Sequence, residues 1–134
     1  MNTTKIIDSQ LLQQLSEKAR NNERLRMNYN IHSQLEDPVQ RLLNALEPGT
    51  IIPIHRHPHT DEVYILLTGS IKVIFYNDEK EITDTFLLNP TEGNYGIQIP
   101  SGQWHGIEVL EHGSVIFEVK QGPYLPLAHD DVLR

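Results

Sequence analysis

Apolar and polar residues alternate with a period of two along much of the second half of the chain. IKVIFY (71–76) sets Ile71, Val73 and Phe75 against Lys72 and Tyr76, and SVIFEVK (114–120) sets Val115, Phe117 and Val119 against Glu118 and Lys120. Successive side chains of a strand point to opposite faces, so this period predicts half-buried strands. VYILL (63–67), ITDTFLL (82–88), YGIQIP (95–100) and WHGIEVL (104–110) also read as strands. The separators TGS, NDEKE, NPTEG, SGQ and EHG carry the Gly, Asn, Asp and Pro that turns require. Six or more short strands at this spacing predict an all-β sandwich or barrel.

The first third follows a different rhythm. Residues 8–26 place Leu11, Leu12, Leu15, Ala19 and Leu25 near helical spacing, with Asp8 or Ser9 to cap the first turn. That pattern predicts an amphipathic helix laid over the outside of a sheet. RMNYNIH (26–32) returns to strand period, and Ser33 to Pro38 reads as a turn. VQRLLNALEPG (39–49) is read as a strand, although its leucines also suit a short helix. In the following TIIPIHRH, Pro53 removes a ladder donor, which predicts an edge strand or a bulge. The tail GPYLPLAHDDVLR reads as an irregular strap. One domain is expected overall: residues 1–32 as a helix and first strand packed on the barrel, 33–122 as the barrel, and 123–134 as the strap.

Composition narrows the chemistry. The chain has no cysteine, which excludes disulfides, thiolate zinc sites and cysteine nucleophiles and leaves nitrogen and oxygen as metal donors. Residues 1–41 hold six Lys/Arg against five Asp/Glu and residues 42–134 hold five against thirteen, so the two parts carry +1 and −8. An acidic body disfavours nucleic acid, whose binding depends on neutralising phosphates. No apolar run approaches the roughly 18 residues of a membrane span, and MNTTKIIDSQ has no apolar signal-peptide core. The expectation is a cytoplasmic protein without membrane association.

The candidate chemistry lies in GTIIPIHRHPHTDEVYILLTG (49–69), where His55, His57 and His59 alternate ahead of Asp61 and Glu62. In a strand His55 and His57 share a face, and two imidazoles with a nearby carboxylate are metal-ligand types. A further histidine, His105, follows the turn formed by Pro100 and Gly102 and enters the next strand on the face of Ile107 and Val109. Antiparallel pairing can aim it back at the first group.

These residues resemble the cupin superfamily. Its first motif is a glycine, five residues, His-x-His, three or four residues, Glu, six residues and a glycine. Gly49, His55, His57, Glu62 and Gly69 match it at every fixed position. In the second motif Pro100, Gly102 and His105 fit, while Gly93 stands one residue too far from Pro100 and Val109 occupies an Asn place. A narrower resemblance, carried by RLRMNYNIH, DPVQRLLNALEPGT, HRHPHTDEVYILLTG and GPYLP, is to the WbuC family of cupin-fold metalloproteins. That family is associated with bacterial O-antigen and other surface-polysaccharide gene clusters.

The resemblance implies a single cupin domain, a double-stranded β-helix or jelly-roll barrel, preceded by the amphipathic helix. It also implies the ligand set His55, His57, Glu62 and His105. Three imidazoles and one carboxylate leave one or two open positions on an octahedral ion, suiting one divalent transition metal: Fe, Mn, Ni, Co or Zn. Asp61 competes for the acidic place, but the six-residue step to Gly69 favours Glu62.

Around these ligands, His59 and Tyr64 are candidates for a catalytic base. Arg26, Arg41, Gln98 and Trp104 are candidates for substrate contacts, the arginines because their fork matches a carboxylate or phosphate. Gln98 faces the metal if Ile97 and Ile99 point outward under the helix. His32, His112 and His129 are expected to be structural or solvent-facing. Two functions are compatible with this pattern. One is a metalloenzyme acting on a sugar or related metabolite of surface-polysaccharide biosynthesis, by isomerase, epimerase or lyase chemistry, with iron-dependent dioxygenation as a sub-case. The other is a non-catalytic, metal-stabilised, sugar-binding cupin. A small-molecule ligand is expected in either case. Strand edges left open by the N-terminal extension lead to the expectation of a homodimer.

Overall fold

Among the described residues, ten strands divide between two antiparallel sheets that face each other. The first contains β1 (Arg26–Asn30), β2 (Val39–Leu46), β9 (Ser114–Gln121), β4 (Glu62–Thr68) and β7 (Gly96–Ile99), in that spatial order. The second contains β10 (Val132–Leu133), β3 (Ile54–His55), β8 (Trp104–Val109), β5 (Ile71–Tyr76) and β6 (Ile82–Leu88). The structure, a computed structural model, describes residues 3–133; Met1, Asn2 and Arg134, the outermost residues of the ranges above, lie outside the described residues. The arrangement is the jelly roll expected of the chain, with one helix before it.

Strand period decides what the sheets enclose. Tyr64 and Leu66 of β4 are buried while Ile65 and Leu67 stay partly exposed, and Ile71, Val73 and Phe75 of β5 point inward with them. With Leu46, Leu88, Ile99, Val109 and Ile116 they form the core between the sheets. Each such side chain contributes about 1.5–3 kcal/mol through burial. At Gly69 the backbone takes φ +95 and a Cβ would overlap Ser114, so a larger residue would push β4 and β9 apart.

A second apolar layer explains the helix. Leu15 and Ala19 of α1 (Ser9–Arg20) pack with Leu43, Ala45 and Val115 on the outer face of the first sheet. Asp8 caps α1 by accepting a 2.9 Å hydrogen bond from the Leu11 N–H. The helix stops at Arg20, six residues before the expected end at Arg26. Asn22 Oδ1 accepts from the Arg24 N–H, and Leu25 adopts φ +56, so the asparagines divert the backbone into a turn.

Two other expectations are refined. The segment with Pro53 yields a strand of just two residues, β3. The tail is not wholly irregular, because Val132 and Leu133 pair with His55 and Ile54 as β10.

Candidate metal centre

The ends of three strands and one loop bring four side chains together. His55 lies on β3 opposite His105 on β8, and Glu62 opens β4. His57 sits in the loop between β3 and β4, where its carbonyl accepts a 2.9 Å hydrogen bond from the Gly102 N–H. The Pro100–Gly102 turn that precedes His105 is thereby tied directly to the loop that carries His57. Asp61 Oδ1 accepts from the Ser101 N–H at 2.9 Å, so this acid is exposed and engaged in joining the two segments. Its neighbour Glu62 is only 2 % exposed and points inward.

One ligand atom from each of His55, His57, Glu62 and His105 lies within 4.8 Å of the others. His55 Nδ1 is 2.8 Å from the Pro53 carbonyl and His105 Nδ1 is 2.9 Å from the Gln103 carbonyl. A carbonyl only accepts, so both Nδ1 atoms carry the proton, and in the neutral ring Nε2 is the atom left to present a lone pair. Glu62 Oε1 is 3.3 Å from His105 Nε2 and 3.5 Å from His57 Nε2, yet this buried oxygen has no hydrogen-bond partner. A buried carboxylate oxygen facing imidazole lone pairs is a poor arrangement for protein alone and a fitting one around a cation.

The electrostatics favour the ligand forms. Burial, reinforced by His105, lowers the His55 imidazole to about 4, and burial also lowers His57 against the opposing charge of Glu62. Burial by itself would raise Glu62; the adjoining His105 side chain and the charge of Lys120 outweigh it and hold the carboxyl at about 2. At neutral pH His55 and His57 are therefore neutral and Glu62 is an anionic carboxylate, the states a divalent ion requires.

A cavity of about 490 Å³ opens from this cluster and is lined by Arg26, Asn44, Tyr64, Glu118 and Lys120 as well as His55, His57 and Glu62. Tyr64 lies on the ligand side as parity predicts, its hydroxyl 3.3 Å from His105 Nε2. Burial, then the charges of Glu62 and Glu118, raise that hydroxyl well above its ordinary range, so it stays protonated. Arg26 lines the cavity near the helix–β1 turn.

Other candidates face elsewhere. Arg41 points to the opposite side of β2 from Leu42 and Asn44, which line the cavity. Gln98 is exposed, because Ile99 takes the buried side of β7 and Ile97 packs against the same core; the alternative orientation is corrected. Trp104 is buried on the reverse face of β8 from His105, with its Nε1 donating to Asp78 at 2.8 Å and the Arg56 guanidinium 4.3 Å from its ring. His59 is exposed and borders a neighbouring groove of about 350 Å³ between its loop and the strap. His32 is buried at the Arg41 backbone, His112 pairs with Glu47 at 2.7 Å, and His129 is exposed.

Glu118 and Lys120 were not among the sequence candidates. Their signal was the alternation of β9, whose apolar Val115 and Phe117 pack under α1 and so turn the polar set into the barrel. Burial, then the like charge of Glu62, pushes the Glu118 carboxyl up to about 8, with Lys120 opposing.

Comparison with known proteins agrees with this fold. The model of a family described as "Domain of unknown function (DUF6016)" matches residues 7–88. No curated protein matches the chain. Among solved structures, KdgF from Halomonas sp. is 16% identical with a TM-score of 0.59, over 75% of this chain and 82% of its own. A cupin-2 domain containing protein from Shewanella frigidimarina NCIMB 400 is 20% identical with a TM-score of 0.51, over 71% and 78%. Bacillus subtilis oxalate decarboxylase, described with Mn(II) centers, is 17% identical with a TM-score of 0.57, over 81% of this chain and 27% of its own. These likenesses show that the chain has the cupin fold.

Proposed function

The chain belongs to the DUF6016 family, and from that premise we propose that it is a metal-dependent enzyme acting on a sugar or related oxygen-rich metabolite. The observation that carries this reading is the unpartnered, buried Glu62 Oε1 between the Nε2 atoms of His57 and His105. His55, His57, Glu62 and His105 would hold one divalent ion, and the Mn(II) centers of the oxalate decarboxylase relative make manganese the first ion to test. Bound there, the ion supplies Lewis-acid polarisation of a substrate carbonyl or hydroxyl.

The chain's own groups supply the rest. Tyr64 keeps its proton and donates a hydrogen bond. Glu118, inside the cavity beside Glu62, is the group we assign to proton movement, ahead of the exposed His59. The residue runs that resemble the WbuC family are what supports a role in bacterial surface-polysaccharide biosynthesis. Among the described residues no helix is long and apolar enough to cross a membrane, in keeping with a cytoplasmic assignment. The outermost strands β6 and β7, with Ile82, Phe86 and Tyr95 exposed nearby, support a homodimer. Light scattering that finds only monomer at micromolar concentration removes the dimer from this account.

The enzyme reading is tested by assaying manganese- and iron-loaded protein against a panel of nucleotide sugars and keto sugars. Turnover of a panel member, lowered about 100-fold or more in Glu118→Gln with metal retained, is expected. Tight binding without turnover across the panel contradicts the enzyme and leaves a sugar-binding cupin.

A further inference from the structure

The mouth of the metal-side cavity is basic in an otherwise acidic protein. The chain carries 18 Asp/Glu against 11 Lys/Arg, yet Arg24, Arg26 and Lys120 line this one cavity and only Glu62 and Glu118 oppose them there. The cavity is therefore cationic before the two charges of a bound ion are added.

These cations are not committed in the same way. Lys120 Nζ lies 3.8 Å from Glu62 Oε2, Arg20 reaches Glu47, and Arg56 is paired with Asp131. Among the described residues, Arg24 and Arg26 have no carboxylate within ion-pair distance. Arg26 is nevertheless held in place, because its Nη1 donates to the Ile51 carbonyl at 2.7 Å. The backbone of Arg24 is fixed by Asn22 Oδ1 on its N–H and by the Thr50 hydroxyl on its carbonyl. Burial and the charge of Arg24 both depress Arg26, the signature of two like charges brought together without a counterion. The anchored guanidinium of Arg26 and the exposed one of Arg24, both without a carboxylate partner on one rim, form an incomplete ion cluster, and an oxyanion completes it.

We propose that Arg24 and Arg26 form an oxyanion subsite, and that the substrate is an anion whose carboxylate or phosphate binds there while a hydroxyl or carbonyl oxygen reaches the metal centre. This rests on the metal-site reading above and names the substrate class of that site. A volume of about 490 Å³ accommodates a ligand of this kind. Lys120, deeper in the cavity, shields the substrate anion from Glu62.

The test is calorimetric titration of manganese-loaded protein with glucose, glucuronate and glucose 6-phosphate, a neutral, a carboxylate and a phosphate probe, at low and at moderate salt. At least one anion is expected to bind about tenfold or more tighter than glucose, with the advantage shrinking as salt rises. Whichever anion binds tighter identifies the carboxylate or the phosphate as the natural group. Arg24→Ala, at an exposed position, is expected to remove most of that advantage, and Arg26→Ala more of it, while the manganese affinity of both variants stays at the wild-type value. Equal affinity for glucose and both anions, no binding of either anion at millimolar concentration, or an anion preference that survives the double variant overturns the subsite. Failure of wild-type protein to take up manganese, measured separately, strikes the metal reading instead.

Discussion

The four side chains of the candidate metal centre are held in two unlike ways. Glu62 is the first residue of a seven-residue strand and His105 the second of a six-residue one, and each strand is paired on both sides, β4 between β9 and β7 and β8 between β3 and β5. His55 sits on a strand of two residues that meets β8 at a single register pair, and His57 lies beyond the strand altogether. A long ladder fixes a side chain by cooperative hydrogen bonds, whereas a two-residue strand needs support from elsewhere.

That support comes from the C-terminal segment. Val132 pairs with His55, and the Arg56 N–H donates to the Asp131 carbonyl at 3.1 Å. The Arg56 side chain, pointing away from the histidines on either side, donates to Asp131 Oδ1 at 3.0 Å and to the Asp130 carbonyl at 3.3 Å, with Trp104 against its guanidinium. Half the cluster is built into the barrel, and the other half is braced against it.

The largest effect on this comparison comes from the built-in half. His105→Ala removes a buried imidazole from the cluster and is expected to lower manganese affinity by more than about 100-fold in a chelator competition. Retention of wild-type affinity would show that β8 does not contribute to the site.

The braced half should respond through its brace. Arg56→Ala is expected to weaken manganese binding by about tenfold, the lower end of what orienting residues cost. Its melting temperature without metal should move little, since a partly exposed ion pair is worth under about 1 kcal/mol. Arg56→Lys should recover part of the affinity, because the ion pair survives while the planar fork does not. An unchanged affinity in Arg56→Ala would mean that β3 holds its histidines unaided.

A smaller effect separates the two halves by pH in metal-free protein. His55, lowered from 6.5 to about 4, is protonated more readily in the unfolded chain, so its contribution raises stability as pH climbs from 4 to 6.5. Glu118, raised from 4.5 to about 8, is protonated more readily in the folded chain, so its contribution lowers stability as pH climbs from 4.5 to 8. Urea melts of Glu118→Gln should therefore rise with pH to about 6.5 and level off, while the wild type declines toward pH 8. Superimposable curves would remove Glu118 from the electrostatics of the site.

The smallest change is expected at Gln98. Gln98→Ala alters an exposed side chain and should leave manganese affinity unchanged and stability within about 0.5 kcal/mol.

The same division accounts for what could be read from the sequence. β5 falls on the residues that alternation selected, because one of its faces meets the core, and β6 falls on the run that explicit turns bound, although of its seven residues Leu88 alone is buried. The cluster of His55, His57, Glu62 and His105 was legible through the resemblance to the cupin motifs, while the residues alone offered His55 and His57 on one strand face with acids nearby and left their meeting with His105 open. Parity without knowledge of the covered face was insufficient for Gln98, Glu118 and Lys120. On β9 the helix takes the apolar face, so the polar residues turn inward, whereas on β7 the inward residue is Ile99. The brace was illegible for another reason: Arg56 and Asp131 are 75 residues apart, and no local pattern marks their meeting.

The central claim is that these four side chains hold one metal ion. Anomalous diffraction from zinc-soaked crystals tests it most directly. The account predicts one peak about 2.0–2.2 Å from the Nε2 atoms of His55, His57 and His105 and from a Glu62 oxygen. No peak at that position, or a peak confined to surface histidines such as His112 or His129, would contradict it.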